Sequence, residues 1–96
     1  MVLVVTYDVD TTDLAGARRL RRVARLCERY GSRVQNSVFE VQLDPAQLIE
    51  LKTGLLEILR PETDSVRLYR LGKNYQSKIE VLGVAGPVEL GEPLLI

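Results

Sequence analysis

The apolar positions fall into blocks whose spacing changes from one block to the next. Residues 2–9, VLVVTYDV, are β-branched and apolar without alternation, which predicts a strand at the centre of a sheet, covered on both faces. The polar run 10–13, DTTD, supplies helix-cap candidates, and a helix is predicted from there to about Tyr30, with Gly31 as its stop. At about 100° per residue, Ala17, Leu20, Val23, Ala24, Leu26, Cys27 and Tyr30 share one broad side of that helix. Residues 33–43, RVQNSVFEVQL, predict strand, but the two-residue period breaks. Val34 and Val38 sit on one parity, and Phe39, Val41 and Leu43 on the other. A one-residue shift exchanges the faces of a strand, so a bulge or tight reversal is expected between Gln35 and Ser37, in either a bent strand or a hairpin.

The second helix is marked more sharply. Asp44 is an N-cap, Pro45 suits the first turn, and Gln47 completes a capping box. Leu48, Leu51, Leu55 and Leu59 then form an apolar stripe that ends at Arg60-Pro61. Residues 65–71 alternate as a strand, 72–77 form a polar loop, and 78–83, KIEVLG, predict a short last strand. This order predicts an α+β sandwich of the ferredoxin-like type, βαββαβ with an additional C-terminal strand. The helices should cover one sheet face, and the apolar first strand argues that the other face is dimerised. Residues 1–83 are expected to form the domain, and the Gly- and Pro-rich stretch 84–96 an arm seeking a partner surface.

Charge changes the picture. The chain has 96 residues and no net charge, yet residues 18–33 hold seven arginines and one glutamate, so the rest of the protein is acidic. Arg18, Arg22, Arg25 and Arg29 follow helical spacing as a narrow ridge opposite the apolar side, flanked by Arg21. The bland reading is a solvated helix face, but that predicts Glu and Lys paired four apart. A ridge made only of arginine suits phosphate contacts, and a rigid helix face with few aromatics suits a duplex backbone better than stacked single strands.

The chain contains no histidine, which excludes His-based triads and His metal ligands. Cys27 is the one cysteine and reads as a small buried hydrophobe rather than a nucleophile. No segment approaches the roughly 18 apolar residues of a membrane span, and the apolar start lacks a basic leader, so a cytoplasmic protein is expected. Asp8 closes the first strand. Its bland role is a turn or cap, and its functional one is a Mg²⁺ ligand, with one carboxylate per chain paired across a dimer axis. Asp10, two residues on, belongs with the helix entry, and Tyr7 should point away from Asp8 into the core.

Tyr7-Asp8 on the first strand, the arginine-rich helix, RVQNSVFE at 33–40, DSVRLYRL at 64–71 and KIEVLG at 78–83 together resemble the CRISPR-associated protein two family. The resemblance covers residues 2–83. It implies a ferredoxin-like homodimer with sheets packed face to face, and a last strand crossing to the partner's sheet. It further implies a role in spacer acquisition in antiviral defence, bridging the CRISPR-associated integrase along prespacer duplex DNA. Members have also been described as Mg²⁺-dependent endonucleases on RNA or DNA, which leaves the chain's standing as an enzyme open. By the same resemblance Asp8 is the catalytic and metal-binding residue, and Arg33 and Phe39 join the helix arginines in nucleic-acid binding. Two other readings stand beside this one: a metal-dependent endonuclease as the main role, and a ferredoxin-like regulatory module for a small metabolite. The last has no Gly-rich loop after the first strand and leaves the arginine ridge unexplained.

Overall fold

The computed structural model describes residues 1–83. Strand β1, Val2–Asp8, alternates as a pleated strand must. Leu3, Val5 and Tyr7 are buried towards the helices, while Val2, Val4 and Thr6 are half-buried on the opposite face. It lies at the centre of a four-stranded sheet of order β2-β3-β1-β4, between β3, Val38–Gln42, and β4, Ser65–Arg70. Strand β2, Gly31–Gln35, forms the far edge, and every neighbouring pair is antiparallel. Helix α1, Leu14–Glu28, connects β1 to β2, and α2, Pro45–Ile58, connects β3 to β4. This is the ferredoxin-like βαββαβ sandwich.

The core lies between the sheet and the two helices. Val5, Val23, Cys27, Phe39 and Leu51 are fully buried there, and Leu48 and Leu55 join them from the predicted stripe of α2. Leu59 caps the end of α2 and packs against the cluster half-buried. The capping box forms as expected, with Gln47 N donating to Asp44 Oδ1 at 2.7 Å and Asp44 N donating to Gln47 Oε1 at 3.0 Å.

Helix α1 starts at the last of its four cap candidates, where Gly16 N donates to Asp13 Oδ1 at 2.7 Å. A Cβ on Gly16 would lie 1.8 Å from the Asp10 carbonyl oxygen, so the loop after β1 packs directly on the first turn. The helix is shorter than predicted, and Gly31 is not its stop. Arg29 caps it in right-handed geometry, and Gly31 already opens β2. There a Cβ would meet the Glu40 carbonyl oxygen at 1.9 Å, so the glycine answers to strand contact rather than to a left-handed turn.

Residues 33–43 form a hairpin whose reversal falls at Asn36-Ser37. The register runs from Arg33 opposite Phe39 to Gln35 opposite Val38, so an extra residue, Val34, is also accommodated in β2. Reversal and bulge together account for the broken period.

The strand expected over 78–83 does not form. Tyr75–Lys78 make one 3₁₀ turn, and no strand is assigned among residues 79–83. A strand needs a neighbour to pair with, and these residues pair with neither edge strand, β2 or β4. Residues 79–82 instead line a cleft of about 760 Å³ with Val4, Val38 and Glu40, on the sheet face away from the helices. The expected arm, 84–96, lies outside the described residues. Among those described, no helix is long and apolar enough to cross a membrane.

Candidate nucleic-acid interface and metal half-site

Arg18, Arg22, Arg25 and Arg29 are exposed on α1, opposite the buried Val23, Ala24, Leu26 and Cys27. Among the described residues none of these four is within salt-bridge distance of a carboxylate. Arginines four apart repel one another, so packing of the apolar side holds this helix against its own charge. The ridge is therefore a rigid row of uncommitted guanidiniums.

Arg19 stands apart from it. Its Nε donates to Asp64 Oδ2 at 2.8 Å, and its Nη2 reaches the Asp10 carbonyl at 3.4 Å. Asp64 is buried, and it also accepts from Asp10 N, Arg60 N and Thr63 Oγ1, each at 3.0 Å. The Arg19 guanidinium and these donors hold its carboxyl well below the usual carboxylate range, against the opposing effect of burial. One carboxylate thus ties together the loop after β1, helix α1 and the turn before β4. The chain shows both residues, but nothing in its periodicity links positions 45 apart.

Asp8 ends β1 opposite Ser65 and is exposed. Tyr7 faces the helices, so alternation places Asp8 on the open sheet face. Among the described residues no group of three or more His, Cys, Asp or Glu could hold a metal ion. At the end of β1 one chain brings the single carboxylate of Asp8, a donor type that suits a hard cation retaining most of its waters. Asp10 is spent locally. Its carboxylate accepts from Thr12 N at 3.0 Å, which holds its pKa below the usual range.

Arg33 lies on the helix side of the sheet, not with Asp8. Its guanidinium sits over the Phe39 ring, 5.4 Å from the centroid. Phe39 stacks on Tyr7 at 6.2 Å. Phe39 was expected to meet nucleic acid, and the structure places it in the core. The ring is fully buried, with the Arg33 guanidinium lying over it. Burial raises the Tyr7 phenol above its ordinary pKa, partly offset by the Arg33 charge, and its hydroxyl donates to the Asn36 carbonyl at 3.4 Å. Cys27 is fully buried, and burial pushes its thiol up to about 12, so it is a packing residue.

The ferredoxin-like fold is shared with known proteins. The sequence profile described as CRISPR associated protein Cas2 matches residues 1–79. The chain belongs to the Cas2 family. It is 47% identical over 95 residues to the CRISPR-associated endonuclease Cas2 of Halalkalibacterium halodurans, covering 99% of each chain. It is 48% identical over 96 residues to the CRISPR-associated endoribonuclease Cas2 of Chlorobaculum tepidum, over the full length of both. The crystal structure of Streptococcus pyogenes Cas2 superposes with a TM-score of 0.80 at 53% identity, over 86% of this chain and all of that one. A hypothetical protein from Thermus thermophilus superposes with a TM-score of 0.73 at 34% identity, over 91% and 96% of the two chains.

Proposed function

We propose that this Cas2 family member is an architectural subunit of spacer acquisition. In this reading two copies pack through their open sheet faces and hold prespacer duplex DNA on their arginine ridges. The arm 84–96 engages the CRISPR-associated integrase. The observation that carries the reading is the row Arg18, Arg22, Arg25 and Arg29, exposed and without ion-pair partners among the described residues. Uncommitted arginines neutralise phosphates and release counterions, so log K falls with log salt by about 0.9 for each duplex phosphate contacted. Replacing Arg22 and Arg25 by alanine should weaken duplex binding and flatten that slope by about 2. A slope unchanged in the double variant, or binding insensitive to salt, overturns the ridge assignment.

A second reading, an endoribonuclease or endodeoxyribonuclease, is favoured by the names of the relatives, which are called endonuclease or endoribonuclease. Here Asp8 of two copies would hold Mg²⁺, the exposed position of Asp8 on the open face being the feature that allows it. The ion would polarise a phosphate and lower the pKa of bound water, standing in for the histidine base that this chain lacks. In the same reading the arginines of α1, with Arg33, would position the strand. Cleavage that survives Asp8→Asn in a clean preparation rejects it.

A further inference from the structure

Between α1 and the β2–β3 turn lies a cleft of about 520 Å³. Arg21 and Arg25 line one wall, Arg33 the other, and Tyr7 the floor. Arg33 is incompletely satisfied. Its Nε is buried with no hydrogen-bond partner among the described residues, and its Nη2 lies 4.0 Å from Glu28 Oε1, beyond hydrogen-bond reach. A guanidinium presents its donors as a planar fork, and a buried unpaired donor is costly, so the fork lacks an oxyanion with two oxygens to offer.

The charge count selects which one. Three guanidiniums against the one carboxylate of Glu28 leave the cleft at net +2. A phosphodiester carries a single negative charge, whereas a phosphate monoester carries about −1.5 to −2 at neutral pH. The cleft is also far larger than a bare phosphate needs and falls in the size range of small-molecule sites, about 300–1,000 Å³. Leu20, half-buried beside the arginines, adds apolar surface for a sugar or base.

We propose that this cleft binds a nucleotide through a terminal phosphate monoester, with Arg33 as its fork and Glu28 as a built-in competitor that the phosphate displaces. The nucleotide comes either from solution or from the end of a nucleic-acid strand. Arg25 belongs to both the ridge and the cleft, so a strand lying on the ridge brings its end to the cleft. That second source, and only that, rests on the proposed duplex binding.

The test uses the full chain with adenosine 5′-monophosphate, adenosine, and one short duplex ending in hydroxyl, 5′-phosphate or 3′-phosphate. Wild type should prefer a phosphorylated end over hydroxyl, or the monophosphate over adenosine, by about tenfold, the order expected for one charge-assisted forked pair. Arg33→Gln should abolish the preference and Glu28→Gln should increase it. Arg18→Ala with Arg22→Ala should lower affinity for every duplex while keeping the ratio. Saturable binding of the monophosphate assigns the site to free nucleotide, and preference for a phosphorylated end without it assigns the site to a strand terminus. Equal affinity for all ends with no binding of the monophosphate overturns the proposal, even where salt-dependent duplex binding persists and the ridge stands. If Arg33→Gln does not fold, the gain in Glu28→Gln decides, and its absence overturns the proposal.

Discussion

Asp64 takes hydrogen bonds from three segments of chain, and its partner Arg19 is itself almost buried, with 11% of its side chain exposed. Removing the charge leaves a buried guanidinium without its anion, so Asp64→Asn should lower the free energy of unfolding by about 3 kcal/mol, measured in urea. The pH dependence has a definite sign. The folded carboxyl is depressed, so the unfolded chain takes up the proton first as pH falls. The contribution is complete above the ordinary aspartate pKa near about 4 and is lost progressively below it. Asp64→Asn should therefore flatten the acid limb of the stability profile. A variant as acid-sensitive as wild type would show that the clamp contributes nothing. Asp8 and Asp10 separate on the same evidence. Asp10 is held by Thr12 and by Asp64, while Asp8 is exposed at the end of β1.

At the scale of elements, α1 carries two opposed demands. Its buried side, from Val23 to Cys27, joins the core, and its ridge repels itself. Arg22→Ala with Arg25→Ala should therefore leave stability unchanged or raise it by a few tenths of a kcal/mol, since alanine also favours helix. A fall above about 1 kcal/mol would show that these side chains pack structurally rather than await a ligand. The amphipathic split of α1 and the capping box of α2 were legible in the sequence, because both follow from local spacing. The broken period over 33–43 was legible as a break, but pattern alone did not separate a hairpin from a bent strand. Helix length and the role of Gly31 were misjudged because the close approach to Glu40 is tertiary. The strand expected over 78–83 depended on an edge to pair with, which local pattern does not supply. For the site, residue types and family motifs pointed to Asp8, Arg33 and the ridge. The Arg19–Asp64 clamp, the burial of Phe39 and the cleft beside Arg33 needed the fold, since each joins residues far apart in sequence or on opposite faces.

Over the whole molecule, the two candidate surfaces lie on different sides of one sheet. Arg33 and the cleft face the helix layer, and Asp8 faces the open side with Val4 and Thr6. Half-buried apolar residues there, among them Val4 and Val38, offer a surface for the proposed second copy, which would bring two Asp8 carboxylates together. The ridges would then lie on the outside of the pair, where a duplex could reach both, so the two proposed readings make separable demands on the chain. Spacer acquisition in cells separates them most directly, with wild type, Asp8→Asn and Arg22→Ala plus Arg25→Ala compared at equal protein levels. The account predicts acquisition retained with Asp8→Asn and lost with the ridge variant. Acquisition lost with Asp8→Asn and retained with the ridge variant would contradict it.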